Sequence, residues 1–325
     1  MRITTRAASA TLATCIAIAL SASSSDAALV LRANFDDGPG TTVTNLGSAG
    51  GTLDMRAVGG GLADLHTANG GGVSGQPGDY GYEAFGNPAA TGVTADGRFD
   101  FGTFSDFTIS GWYYQTASQA AELQIGERKL NPDTGSFTEG FQNFFRYRPE
   151  LNAGNTRIEL FGSGGSTVDA DPGDLQLRIG GTAGNSFVSN ANTYTATDEW
   201  VFYAVTYDGT SSGATANFYV GSKTSAPVLA GTSTVSQLGG FPAFDFGEQP
   251  VSLGNRPFID NGGANRSLNA TMDDARFYVG DVLDLAALDT VRLEAIGVPE
   301  PATGMLALGA LLMSGIANRR SRSDA

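Results

Sequence analysis

Short hydrophobic runs separated by glycine-rich turns dominate the middle of this 325-residue chain. The two strongest runs, at 107–114 and 200–207, are rich in aromatic and β-branched residues, which favour strands. Asp208-Gly209 follows the second run and predicts a hairpin turn. The pattern predicts further strands at 28–35, 52–57, 80–85, 98–101, 123–126, 141–147, 157–161, 175–179, 214–220, 251–253 and 270–279.

One short helix is predicted after these strands. Asp284 is a suitable N-cap, and Leu285, Leu288 and Val291 fall on the face that we expect to be buried. More than ten strands with one helix predict an all-β fold, in which two antiparallel sheets pack as a sandwich.

The beginning of the chain has the features of a secretory signal peptide. An arginine-containing start precedes a mostly apolar or small stretch at 8–20, and Ser25 and Ala27 are small residues at the two positions that matter for cleavage. We therefore expect residues 1–27 to be removed.

The last 28 residues consist of a proline-containing motif, an uncharged stretch and a basic end. These parts are Val298-Pro299-Glu300-Pro301, residues 302–317, and a run that contains Arg319 and Arg320. A helix over the uncharged stretch is about 24 Å long, which is shorter than the roughly 30 Å hydrocarbon core. The basic end is expected to stay on the cytoplasmic side.

This order of parts resembles the PEP-CTERM sorting signal of bacterial surface and matrix proteins. The resemblance implies that residues 298–325 insert transiently into the inner membrane and that a membrane-bound exosortase cuts near the proline motif. The protein would then belong to the cell envelope, the cell surface or the extracellular matrix. The alternative is a permanent single-span anchor.

Composition restricts the partners. The chain has 33 Asp and Glu against 19 Lys and Arg, a net charge of −14. Such acidity argues against nucleic acid and anionic lipid as ligands, and agrees with divalent cations and neutral glycans. Cys15 is the only cysteine, and it lies in the predicted signal peptide. Alternatively, it is the lipidated residue of a lipobox-like sequence at 12–15. In either case the mature chain is predicted to have no disulfide.

The middle of the chain resembles LamG-like, concanavalin A-like jelly-roll domains. The resemblance covers their opening strand, central strand, late hairpin and closing strands, at 29–38, 101–112, 199–209, 216–221, 253–256 and 272–278. It implies one jelly-roll domain over residues 28–297, flanked by a signal helix and a short hydrophobic C-terminal helix. This fold includes lectins, adhesion modules and glycan hydrolases, so it does not determine function.

Two aspartate pairs are candidate metal ligands. Asp36 and Asp37 end the first predicted strand, and Asp273 and Asp274 lie in the last, which is often its neighbour in jelly rolls. Carboxylates and backbone carbonyls are the ligands that Ca²⁺ prefers, and members of this fold often carry a structural calcium. The alternative is that these residues cap turns and that Asp274 pairs with Arg276.

A catalytic reading rests on Glu122 and Glu127. Laminarinase-type glycosidases of this fold use Glu-x-Asp-x-x-Glu on a strand, but here the aspartate position is Gln124. No metalloprotease, serine hydrolase or phosphate-loop motif is present in the sequence, and His66 is its only histidine. The sequence therefore favours a protein without catalytic activity, with a divergent glycoside hydrolase as the alternative.

Aromatic residues and arginines alternate in the strand predicted at 141–147. Alternation would bury Phe145 and Tyr147 and expose Phe144 with Arg146, or the reverse. Either choice would leave aromatic rings beside arginines at a surface, which is a candidate face for a glycan or a protein partner.

Trp112 and Trp200 lie within the two strongest strands, so we predict that they are core residues and do not stack on sugars. Together these features predict an exported binding or adhesion module for an extracellular polysaccharide or a surface protein.

Overall fold

The computed structural model describes residues 27–57, 60–84, 93–119, 129–130, 137–138, 142–148, 157–162, 175–181, 184–190, 196–209, 214–234, 243–257, 268, 270–280 and 282–297. The predicted signal peptide, apart from Ala27, and the tail from Val298 onward lie outside these residues. Among the described residues, no helix is long and apolar enough to cross a membrane.

Nineteen strands and one long helix form within the described ranges. In chain order they are β1 (Ala28–Ala33), β2 (Thr42–Thr44), β3 (Thr52–Arg56), β4 (Tyr82–Glu83), β5 (Thr94–Phe99), β6 (Thr103–Phe104), β7 (Phe107–Tyr114), β8 (Lys129–Leu130), β9 (Phe137–Thr138), β10 (Gln142–Tyr147), β11 (Arg157–Gly162), β12 (Leu175–Gly181), β13 (Gly184–Asn190), β14 (Trp200–Asp208), β15 (Thr215–Ser222), β16 (Val228–Thr234), β17 (Phe244–Asp245), β18 (Gln249–Leu253), β19 (Thr271–Val279) and α1 (Leu285–Ala295).

Two large antiparallel sheets contain most of these strands. A seven-stranded sheet has the order β1-β19-β7-β14-β15-β16, with β4 paired to β19, and an eight-stranded sheet has the order β13-β12-β11-β10-β18-β5-β3-β2. The first and last strands are neighbours, as predicted. The predicted fold class, an all-β jelly-roll sandwich of two antiparallel sheets, is confirmed.

Large aromatic rings fill the space between the sheets. Phe277 of β19 lies near the centre, with its ring centroid 4.9 Å from that of Phe145 and 5.2 Å from that of Phe101. Phe107 and Tyr207 stack on neighbouring strands at 5.0 Å. Each of these residues is at least 94% buried, so they contribute several kcal/mol of hydrophobic and aromatic stabilisation.

A second apolar cluster covers the outer face of the seven-stranded sheet. It joins Trp112 and Phe202 to Leu288 and Val291 of α1, and Ala27 and Ile296 pack against it. Both ends of the described chain therefore lie on this face. The prediction that Trp112 is a core residue is confirmed, and Trp200 packs partly buried against the same cluster.

The helix has the predicted start but a narrower buried face. The Asp284 carboxylate accepts a hydrogen bond from the N–H of Ala287 at 2.8 Å, so the predicted N-cap is confirmed. Leu288 and Val291 are buried, whereas Leu285 is 48% exposed. The prediction for Leu285 was wrong, because the first turn of the helix extends past the edge of the apolar cluster.

Candidate functional site

The four predicted aspartates have different surroundings. Asp37 is exposed and accepts a hydrogen bond from the N–H of Thr44 at the end of β2. Asp36 accepts a hydrogen bond from the N–H of Tyr80 at 3.1 Å. Asp273 and Asp274 are buried in β19. Asp37 thus acts in a turn, as the alternative to metal binding predicted.

Asp274 is the centre of a buried ion-pair network. It lies in a β-bulge with φ +43°, a left-handed conformation that aspartate tolerates better than most residues. Its Oδ2 accepts two hydrogen bonds from Arg276, at 2.6 and 2.9 Å, and its Oδ1 accepts one from Arg32 of β1 at 2.8 Å. Arg276 also reaches Glu294 of α1 at 2.6 Å. The predicted alternative, a pair between Asp274 and Arg276, is therefore confirmed.

Asp273 faces the glycine-rich loop at 70–81. Its two oxygens accept hydrogen bonds from the N–H groups of Val73, at 2.7 Å, and Asp274, at 2.6 Å. Burial raises the pKa of Asp273 well above its ordinary value, and the charges of Asp274, Asp79 and Asp36 raise it further. We call Asp36, Asp79, Asp273 and Asp274 the acid cluster.

The acid cluster is not a preformed metal centre in the described structure. No group of three or more His, Cys, Asp or Glu side chains in the described ranges is arranged to hold a metal ion. Asp79 is a member that the sequence did not indicate, since it lies in a turn without strand pattern. It accepts hydrogen bonds from Ser74 Oγ at 2.7 Å and from the N–H of Gly75 at 2.9 Å.

A different set of polar residues lies on the outer face of the eight-stranded sheet. Side chains alternate along each strand, and the apolar ones point into the core. The strand register aligns the others in a row across the sheet, which contains Arg178, Glu159, Arg146, Ser252, Asp96 and Asp54. We call this row, with the second row described next, the polar face. Most of its side chains are buried, whereas Arg178 and Asp54 at its two ends reach solvent.

The second row of the polar face combines an aromatic ring with two amides. Phe161 of β11 is paired with Asn143 of β10 on one side and with Gln176 of β12 on the other. All three residues are at least 98% buried. Both side-chain polar atoms of Asn143, and Oε1 of Gln176, have no hydrogen-bond partner. Buried polar groups are nearly always hydrogen-bonded in native proteins, so these atoms need a further explanation.

Ion pairs organise the first row at both ends. Glu159 lies between two arginines, with its carboxylate 3.0 Å from Arg146 Nε and 3.3 Å from Arg178 Nη1. At the other end Arg56 binds Asp96 at 3.0 Å and Asp54 at 2.6 Å. The polar face is therefore basic near β10–β12 and more acidic near β3 and β5.

The aromatic residues of β10 do not lie on the polar face. Phe144, Phe145 and Tyr147 are all buried in the core, whereas Asn143 and Arg146 lie on the outer face. The predicted surface of aromatic rings beside arginines was therefore wrong. A bulge between Asn143 and Phe145 inserts one residue, which interrupts the alternation and turns Phe144 inward as well.

Several predicted site residues lie outside the described residues. These are Glu122, Gln124 and Glu127 of the catalytic alternative, and Val298, Pro299, Glu300, Pro301, Arg319 and Arg320 of the sorting signal. Their predicted roles stay predictions.

Comparisons with known proteins give structural similarity only. No protein family and no curated protein matches the sequence. Among solved structures, the chain is similar to a heptameric SAP-like pentraxin from Limulus polyphemus, at 13% identity over 62% of this chain and 77% of the pentraxin, with a TM-score of 0.37. It is similar to peanut lectin at 11% identity over 71% of this chain and 92% of the lectin, with a TM-score of 0.33.

An arabinofuranosidase complexed with arabinofuranosyl-α-1,2-xylobiose is also similar, at 13% identity over 79% of this chain and a TM-score of 0.46. This chain spans 50% of that enzyme. At these identities the likeness concerns the fold alone.

Proposed function

We propose that the protein is an exported module without catalytic activity that binds an extracellular polysaccharide through its polar face. The observation that carries this proposal is the row of charged and polar side chains across the eight-stranded sheet, whose end residues Arg178 and Asp54 reach solvent. Guanidinium and carboxylate groups donate and accept the hydrogen bonds that sugar hydroxyl groups need.

The carboxylates of the polar face support binding over hydrolysis. Glycosidases need two carboxyl groups about 5–5.5 Å or about 6.5–9.5 Å apart. Glu159 and Asp96 lie three strands apart, which is about 14 Å at the usual strand spacing. Asp54 and Asp96 are paired on adjacent strands, but Arg56 binds both of them, at 2.6 and 3.0 Å. The described carboxylates of the face are thus engaged in ion pairs with arginines.

A glycan array with the secreted protein tests the proposal. We expect Arg178→Ala to weaken glycan binding about tenfold to a hundredfold, because a hydrogen bond to a charged group contributes about 1.5–3 kcal/mol. A melting curve of the variant shows whether it is folded. Asn217→Ala on the seven-stranded sheet, where the amide binds Thr232 in an exposed position, is the control.

Two results would contradict the proposal. Binding that survives Arg178→Ala and Asp54→Ala together would place the ligand elsewhere. Release of reducing sugar from a bound glycan, abolished by Glu122→Gln or Glu127→Gln, would establish the hydrolase alternative.

A structural Ca²⁺ at the acid cluster is the second part of the proposal. The cluster fits a cation in charge, because the charges of Asp274, Asp79 and Asp36 act on the buried Asp273, whose described hydrogen bonds come only from N–H groups. Since three of these carboxylates do not converge in the described structure, the ion would be held by Asp273, alone or with one neighbouring carboxylate, together with backbone carbonyls, which Ca²⁺ accepts. Asp274 is less suitable, since both of its oxygens bind arginines. The ion would neutralise buried charge next to the pairing of β1 with β19.

Sorting through the tail is the third part. Cleavage near Ala28 and near Pro299, the latter by an exosortase-type enzyme, would release the sandwich to the envelope, the cell surface or the matrix, after transient membrane insertion of residues 302–317. The order of motif, apolar stretch and basic end supports this part of the proposal.

A further inference from the structure

The two edges of the seven-stranded sheet differ in the described structure. The strand order ends at β1 on one side and at β16 on the other. Residues 46–49 cover β1, because three of their N–H groups donate hydrogen bonds to the carbonyl groups of Arg32, Leu29 and Val30, at 2.9 to 3.2 Å. The edge at which another strand can be added to this sheet is therefore β16.

The edge strand β16 is uncharged, and its first residues are apolar and exposed. Val228 and Leu229 are 62% and 51% exposed, and they are two of the five large hydrophobic residues that are exposed in the described structure. β16 contains no charged residue, although the whole chain has a net charge of −14. Natural edge strands commonly carry charged side chains, lysine above all, which prevent pairing with another chain. β16 lacks this protection.

The two exposed side chains lie on opposite faces of the sheet. Val228 is paired with Val220, which packs against the core between the sheets, whereas Leu229 is paired with Tyr219 of the outer apolar cluster. Directly paired residues on neighbouring strands point to the same face. Val228 therefore points toward the layer between the sheets and is nevertheless exposed. A single added strand would extend this sheet, but it would bring no second layer to cover Val228.

A second copy of the chain would supply both layers. β13, which is the edge of the eight-stranded sheet, lies beside β16, so both sheets end on the same side of the sandwich. A second sandwich at this side would pair with β16 and would also cover the inner face at Val228. Residues 46–49 cover its own β1, so the strand that it offers is β16. An interface that uses the same strand in both copies closes at two copies.

We propose that the protein forms a two-fold symmetric dimer in which β16 pairs antiparallel with β16 of a second copy. The seven-stranded sheets of the two copies then continue across the symmetry axis. Val228 and Leu229 become buried on the two faces of the joined sheet. Because the edge carries no charge, the two acidic chains meet where their mutual repulsion is smallest.

The size of this edge predicts a weak dimer. Seven residues give a strand about 24 Å long, and two layers about 10 Å apart are about 20 Å thick with their outer side chains. The interface then covers about 500 Å² of each partner, a total of about 1,000 Å² that lies at the lower limit for specific interfaces. Ala230 has no partner in the ladder to β15, and this bulge limits regular pairing further. We therefore expect a dissociation constant in the micromolar range.

Sedimentation velocity of the secreted protein, over concentrations that extend to both sides of the micromolar range, measures the dimer. Added salt should strengthen it, because screening reduces the repulsion between two chains of charge −14. Leu229→Glu should weaken the dimer at least about tenfold, because the new carboxylate would lose water at the pairing edge.

Leu62→Glu is the matched control, since it makes the same change in charge and size at a residue that is 55% exposed. Leu62 lies beside β3, near the opposite edge of the other sheet. The dissociation constant of this variant should stay within about twofold of the wild-type value.

Val228→Glu provides a second variant, and melting curves show that each variant is folded. Hydrogen exchange gives an independent measurement, in which the backbone amides of β16 should exchange more slowly at high than at low protein concentration. In Leu229→Glu this dependence on concentration should be lost.

Three results would overturn the proposal. The first is a protein that stays monomeric over the whole concentration range. The second is a dimer whose dissociation constant changes no more in Leu229→Glu and Val228→Glu than in Leu62→Glu, which would place the interface elsewhere. The third is a series of species that grow beyond two copies, because pairing of β16 with β16 closes at the dimer.

Discussion

The ion-pair network around Asp274 gives a prediction about stability. Arg276→Met would remove the guanidinium group that binds the Asp274 carboxylate and also reaches Glu294 of α1. The side chains of Arg276 and Asp274 are 1% and 4% exposed. Removal of one partner from a buried pair costs about 3–5 kcal/mol, because the other charge stays buried without compensation.

The expected cost lies near the lower end of that range. Arg32 stays bound to Asp274 at 2.8 Å, and its 26% exposure lets water share in the compensation. Methionine also returns some apolar contact in the space of the arginine stem. We expect a loss of about 3 kcal/mol, which corresponds to a decrease in melting temperature of about 6–12 °C for a domain of this size.

Urea unfolding at pH 7, followed by tryptophan fluorescence in the presence of a chelator, measures this loss. Trp112 is a suitable reporter, because it is buried in the apolar cluster between α1 and the sheet. Arg32→Met is the control, and we expect it to cost about 1 kcal/mol, since its ion pair is more exposed. The slope of the free energy against urea should be the same in all variants.

A double-mutant cycle decides whether the network explains the loss. The double variant Arg276→Met with Asp274→Asn should cost about 1–3 kcal/mol less than the sum of the two single variants, because it leaves no uncompensated carboxylate. An additive result, or a cost below about 1 kcal/mol for Arg276→Met, would refute the reasoning.

Three further predictions concern the acid cluster and the ends of the chain. Calcium at a hundredfold excess over its Kd should stabilise the protein by about 2.7 kcal/mol. Asp273→Asn should abolish this effect, whereas Asp37→Asn should retain it, because Asp37 accepts a hydrogen bond from the N–H of Thr44 in a turn. Identical melting curves with calcium and with chelator would exclude the ion. The raised pKa of Asp273 in the folded state contributes stability below about pH 4, and this stability is lost as pH rises through that pKa. With chelator present, the free energy of unfolding of Asp273→Asn relative to wild type should therefore increase from about pH 4 to about pH 8. A decrease would contradict this prediction. Mass spectrometry of the secreted protein should find ends near Ala28 and between Pro299 and Pro301, and an intact tail through Ala325 outside the cell would reject the sorting prediction.

The sequence predicted strands well where local pattern and burial agree. The strand predicted at 107–114 has the same limits in the structure, and the strand predicted at 200–207 extends by one residue to Asp208. β16 was missed because most of its residues are exposed, with Val228 at 62%, so no buried face marks it. β2 was missed because its three residues are too few to show alternation.

The polar face could be predicted only in part. Arginines at positions 146, 157 and 178 are visible in the sequence, but they lie on three strands whose register depends on contacts distant along the chain. The bulge at Asn143 also reversed the expected orientation of Phe144. In contrast, the electrostatic interaction of Asp36 with Asp273 followed from the expected pairing of first and last strands.

The position of the chain ends determines how a tethered molecule would be oriented. Ala27 and Ile296 pack on the outer face of the seven-stranded sheet, and the polar face lies on the outer side of the other sheet. Between these two surfaces lie the two packed sheets, which are about 10 Å apart. A chain attached to a cell or a matrix through residues beyond 297 would therefore turn this side outward, so that Arg178 and Asp54 meet long polymers that do not pass between the protein and its support.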